Sequence, residues 1–76
     1  MSHRLPSLKP KEVLRALKRA GFYVHHQTGG HVILKHPSDP SRRTVVPMHN
    51  RDLIRTTLMA IVKDSGMTSD EFTQYL

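Results

Sequence analysis

Six of the 76 residues are histidine, and four of these (His25, His26, His31 and His36) fall in one short stretch with Gly29, Gly30 and Lys35. Imidazole is the side chain best suited to moving a proton near neutral pH, and a neighbouring cation offsets negative charge on a reacting phosphoryl group. His31 directly follows Gly29-Gly30, where no side chain beyond hydrogen encumbers the backbone. An approaching phosphodiester would meet amide N–H groups, an imidazole and the Lys35 ammonium together. The residues alone leave a second reading open, in which His31 is an ordinary histidine on a half-exposed sheet.

Metal chemistry would need a different pattern. The chain has no Cys and no H-E-x-x-H helix motif, and none of its six Asp and Glu lies in the segment that carries the four histidines. The ligand inventory therefore points away from a metal, and nothing calls for a small-molecule cofactor. His25 and His26 are strand neighbours, so regular alternation sends them to opposite faces and keeps them from sharing one site. His3 belongs to the terminus and is expected to be unstructured.

The elements that must position these residues follow from periodicity. Val13, Leu14, Leu17 and Ala20 form a helical stripe, Pro10 suits the first turn, and Gly21 suits a C-terminal cap, which predicts a helix over 10–20. Two strands, 22–27 and 31–36, flank Thr28-Gly29-Gly30 as a hairpin. Along the second, Val32 and Leu34 share the core face, while His31, Ile33 and Lys35 share the other. Pro37 ends that strand, Ser38-Asp39-Pro40-Ser41 reads as a turn, and Arg42 to Val46 reads as a third strand closed by Pro47. A second helix is predicted from Arg51 or Asp52 to Asp64, with Ile54, Leu58, Ile61 and Val62 on one face. Gly66 ends it, and Thr68 to Glu71 has the capping-box pattern that starts a short last helix carrying Phe72, Tyr75 and Leu76. The expected fold is α+β: one domain over 1–76, with a three-stranded antiparallel meander, both main helices on one sheet face and the other face open.

Composition bounds the function. With 37% hydrophobic and 24% charged residues the chain is a soluble globular type, and no apolar run approaches the roughly 18 residues of a membrane span. The N-terminus shows no signal-peptide apolar region, and the lack of Cys suits a reducing cytosol, so a cytoplasmic protein without membrane contact is expected. Lys plus Arg number 12 against 6 acids, a net +6 that suits a polyanion partner. Seven of the basic residues and a single acid lie in 1–38, and the second half is neutral.

One ordered set of motifs adds to this. Leu8-Lys9 through Gly21-Phe22, Thr28-Gly29-Gly30-His31 opening a strand, His36-Pro37, Val45-Val46-Pro47-Met48-His49, Leu58-x-x-Ile61, Gly66-Met67-Thr68 and Glu71-Phe72 together resemble the HicA family of toxin ribonucleases. The resemblance runs from about Leu8 to Leu76. It implies a double-stranded-RNA-binding-like α-β-β-β-α fold, metal-independent cleavage of mRNA, and silencing by a HicB-type antitoxin protein. It also makes His31 the catalytic residue. Many members carry Gly-Ser-His where this chain has Gly29-Gly30-His31, and Gly-Thr-Leu where it has Thr56-Thr57-Leu58, so a hydroxyl contribution at position 30 is absent.

The expected mechanism is attack by a ribose 2′-hydroxyl on the adjacent phosphorus, with His31 accepting the proton. Lys35, Arg42 and Arg43 would counter the phosphate charge, and the Gly29-Gly30 backbone would donate hydrogen bonds. His36 and His49 are candidates by type for the acid that protonates the leaving oxygen, although His36 has the wrong strand parity. The alternative is a noncatalytic RNA-binding module of the same fold, reading shape and phosphates.

Overall fold

Residues 5–76 are described in a computed structural model of the chain; His3, expected at a loose terminus, lies outside them. Helix α1 (Pro10–Arg19) begins with Pro at its first position and is capped from within, the Lys9 N–H donating to the Glu12 carboxylate at 3.0 Å. It ends where its apolar stripe predicts: Ala20 caps it, and Gly21 takes a positive φ of 102°. A side chain at position 21 would also press on the His36 imidazole, so glycine serves both geometry and space. Val13, Ala16 and Leu17 are buried.

Three strands follow, β1 (Tyr23–Gln27), β2 (His31–His36) and β3 (Asp39–Pro47), in the antiparallel order β1-β2-β3. The meander is as expected, but β3 starts three residues early. Only Pro37 and Ser38 turn the chain, and Asp39 pairs with His36. The register then jumps from His36↔Asp39 to Lys35↔Arg43, so Pro40, Ser41 and Arg42 lie outside one-to-one pairing. Both Pro40 and Pro47 are tolerated because β3 is an edge strand, where a missing N–H need not leave a partner unbonded. Asp39, read as a turn residue, accepts from the Ser41 hydroxyl (2.6 Å) and N–H (3.1 Å), and these bonds hold its carboxyl below the usual range.

Helix α2 (Arg55–Asp64) begins later than its stripe suggests. Leu53 is buried and its N–H donates to the Leu8 carbonyl at 2.8 Å, which keeps the approach extended. Ile54 is therefore the N-cap and is 71% exposed, outside the buried face formed by Leu58, Ile61 and Val62. After Gly66, helix α3 (Ser69–Thr73) opens with the predicted capping box, the Thr68 N–H donating to the Glu71 carboxylate at 2.9 Å and the Glu71 N–H to the Thr68 hydroxyl at 3.1 Å. Phe72 is fully buried and Tyr75 packs on the core, but Leu76 is exposed beyond the helix.

The core is one cluster in which Val32, Leu34 and Val46 from the sheet meet Val13 and Leu17 of α1, Leu58, Ile61 and Val62 of α2, and Phe72. Thr44 is buried among them and its hydroxyl donates to the Ile61 carbonyl at 3.0 Å. No buried side-chain nitrogen or oxygen among the described residues lacks a partner. The helices thus cover one face of the sheet and leave the other open. None of the described helices is long and apolar enough to cross a membrane.

Two measurements check this arrangement. Leu34→Ala is expected to cost about 2–5 kcal/mol in urea unfolding, and Ile33→Ala on the opposite face clearly less. The Thr68 N–H holds the Glu71 carboxyl below its ordinary value of 4.5, so that stabilisation is complete above about pH 4.5 and fades as the pH falls through the lowered value. Thermal unfolding of Glu71→Gln should accordingly lose less stability than the parent on acidification.

Candidate active site

The open face is read directly from the sheet register, because residues opposite one another in an antiparallel pair project to the same side. Lys35 lies between Tyr23 and Arg43, Ile33 between His26 and Val45, and His31 is opposite Pro47. His31 is exposed at the head of the central strand, and Lys35 is half-buried two pairs further along. His31, Lys35 and Arg43 therefore share a surface. So do His26, one of the four clustered histidines, and Tyr23, which composition and spacing did not single out.

His26 reaches this face through a bulge. Val24 pairs with Leu34 but His26 pairs with Ile33, so His25 is an extra residue in β1 and strict alternation fails. His25 has no one-to-one partner in β2, so strict alternation no longer fixes its face relative to His26. His26 is then diagonal to His31, at a Cβ separation of roughly 7 Å for such pairs. A bulge has no signature in a run of Val-His-His-Gln. The strong β character of the segment was visible, but its register was not.

The loop that presents His31 is fastened by Thr28 and by Met48. The Thr28 hydroxyl oxygen accepts from the Gly30 N–H (3.3 Å) and the His31 N–H (3.1 Å), and the Thr28 N–H donates to the His31 carbonyl at 2.9 Å. The Gly30 carbonyl in turn accepts from Met48 N–H at 2.9 Å, tying the loop to the end of β3. The Gly30 amide expected to greet a phosphate is thus already engaged. A Cβ at Gly29 or Gly30 would meet nothing within 4 Å and neither residue needs a positive φ, so these glycines leave room beside His31. A serine at position 30 would fit.

The arginine pair is divided. Arg43 pairs with Lys35 on the open face, whereas the Arg42 Nε donates to the Ser65 carbonyl at 2.8 Å and its guanidinium lies 5.2 Å from the centroid of the Phe22 ring. Arg42 also passes so close to Gly66, which has a φ of +80°, that a side chain there would collide with it. The structure therefore separates Arg42 from His31: it clamps the corner of β3 to the helix layer. His36 lies on that side too. Its ring meets Phe22 edge-on at 5.1 Å, and its Nδ1 is bonded to the Ser38 hydroxyl at 2.7 Å.

The charge excess is also divided. Arg15, Lys18 and Arg19 are exposed on α1, whose buried side packs toward the sheet, so they cover the outer side of the helix layer, and Lys11 is exposed in the first turn of the same helix rather than on the open face. Lys35 is the one first-half cation, among the described residues, that the register brings to the His31 face. No cluster of three or more His, Asp or Glu with metal-holding geometry occurs among the described residues.

A family model described as the HicA toxin of bacterial toxin–antitoxin systems matches residues 10–67. The chain belongs to the HicA toxin family. The match spans α1, the sheet, the Thr28–Gly30 loop with His31, and α2, and stops at Met67 just before α3. A search among curated proteins finds no match. Membership makes this chain the toxin of a toxin–antitoxin pair and implies a cognate antitoxin. The α-β-β-β-α layout with an open three-stranded sheet agrees with the fold expected from the HicA resemblance.

The split between the two arginines can be measured. Arg42→Ala should lower stability by about 1–2 kcal/mol through loss of the Ser65 bond and the ring contact, while leaving RNA affinity nearly unchanged. Arg43→Ala should do the reverse, staying within about 0.5 kcal/mol of the parent in unfolding and weakening RNA binding.

Proposed function

We propose that this HicA-family toxin is a metal-independent endoribonuclease that cleaves mRNA at the open sheet face and is inhibited by a HicB-type antitoxin covering that face. The observation that carries the reading is the combination of an exposed His31, empty space at Gly29 and Gly30, and the Lys35–Arg43 pair on one surface. RNA supplies its own nucleophile. The His31 imidazole takes the proton of the ribose 2′-hydroxyl as that oxygen bonds to phosphorus, and Lys35 and Arg43 offset the charge that gathers on the non-bridging oxygens. The bond to the 5′-oxygen breaks, leaving a 2′,3′-cyclic phosphate and a 5′-hydroxyl.

The leaving 5′-oxygen needs a proton. His26, on the same face and diagonal to His31, is the donor we favour, since His36 is turned toward Phe22 and Ser38. The Gly29-Gly30 segment contributes mainly room for the backbone of the substrate, because the Gly30 N–H is held by Thr28.

His31→Ala is expected to retain the circular-dichroism spectrum and RNA affinity, lower cleavage by about 10²–10⁴-fold and abolish growth arrest. Full cleavage by that variant would remove His31 from the mechanism. A parent protein that binds RNA and leaves it intact would mark a noncatalytic module. His26→Ala should cut ordinary RNA slowly but recover on a substrate with a 5′-thio leaving group, which departs without a proton; His31→Ala should not recover.

A further inference from the structure

Beside the His31 loop lies a second polar feature. Lys9, Lys11, His49 and Asn50 line a hollow of about 340 Å³, with no carboxylate among its lining residues. One wall is the chain entering α1, and the other is the chain leaving β3. The walls are fastened together by the Leu53 N–H donating to the Leu8 carbonyl at 2.8 Å, one residue before Lys9. They are fastened to the site by the Met48 N–H donating to the Gly30 carbonyl at 2.9 Å, one residue before His49 and one before His31.

Every lining side chain can present hydrogen-bond donors. Lysine ammoniums only donate, and an asparagine amide can. The His49 Nδ1 accepts from the Arg51 N–H at 3.2 Å, so a neutral ring carries its proton on Nε2 and donates from there. A hollow with this inventory suits oxygen acceptors with negative charge. The lining holds no apolar side chain that would anchor a folded protein partner.

We propose that this hollow is a phosphate-binding subsite that holds the single-stranded RNA chain to one side of the bond cleaved at His31. The proposal rests on the ribonuclease reading and extends it to a second, noncatalytic contact. Its tie to the β1–β2 loop through the Met48–Gly30 hydrogen bond gives the bound strand a path: the segment to one side of the scissile phosphate runs over Gly30 and past Met48 to Lys9 and Lys11. The subsite also brings into use two cations of α1 and its approach, which the open face leaves idle.

The test uses RNA binding and cleavage by the double variant Lys9→Gln/Lys11→Gln. In a His31→Ala background, where RNA survives, the dependence of log affinity on log salt should become shallower by about 1.4, from two phosphate contacts at about 0.7 each. With His31 intact, kcat/KM should fall for a long RNA but not for a dinucleotide too short to reach the hollow. Lys9→Arg/Lys11→Arg should restore the slope. An unchanged slope with normal RNA binding overturns the subsite and leaves the ribonuclease reading standing. Weakened antitoxin binding with unchanged RNA behaviour assigns the hollow to the protein partner and also overturns it. A parent chain that binds no RNA overturns both readings together.

Discussion

Strand β2 is bonded to a neighbour on each side, and its two faces meet opposite environments. Val32 and Leu34 enter the core beneath α1 and α2, while His31, Ile33 and Lys35 face outward. A slip of one residue would drive the Lys35 ammonium into an apolar layer and expose the two core residues. Because both penalties act at once, the register is held tightly. The position of His31 relative to Lys35 and Arg43 is a by-product of burying Val32, Leu34 and Val46.

Around that strand the connections make the surface usable. The Thr28–Gly30 loop is held by side chain and backbone, so His31 is presented from a fixed support although its neighbours have no bulk. At the other end, the irregular corner of β3 is held by Arg42 reaching back to Ser65. Adjacent arginines therefore have different duties. One stabilises a corner, and the other adds charge to an exposed face.

The same division governs the electrostatics. A net +6 on 76 residues suggests one basic patch, yet Arg15, Lys18 and Arg19 of α1 and the Lys35–Arg43 pair lie on opposite sides of the two-layer fold. General attraction of a polyanion is served by the whole molecule. In the proposed reaction, local stabilisation of the phosphate would fall to Lys35 and Arg43, the cations on the face with His31. Lys9 and Lys11, lining the hollow with His49 and Asn50, are the charges that the proposed subsite would add.

Much of this was legible in the sequence. The helix over 10–20, the meander, the Thr68–Glu71 capping box and the two-sided character of β2 follow from periodicity and local chemistry, which act over a few residues. The HicA resemblance was carried by motifs in order along the chain. What the sequence left undecided were features set by strand register and by contacts distant in the chain. The Leu53 bond to Leu8 delays α2 and exposes Ile54, the bulge at His25 turns His26 to the open face, and Ser65 draws Arg42 to the helix side. Periodicity tells which residues want burial. Only the packed structure decides which of the remaining polar side chains meet, because those partners are chosen by strand register and by hydrogen bonds between residues 23 and 45 positions apart.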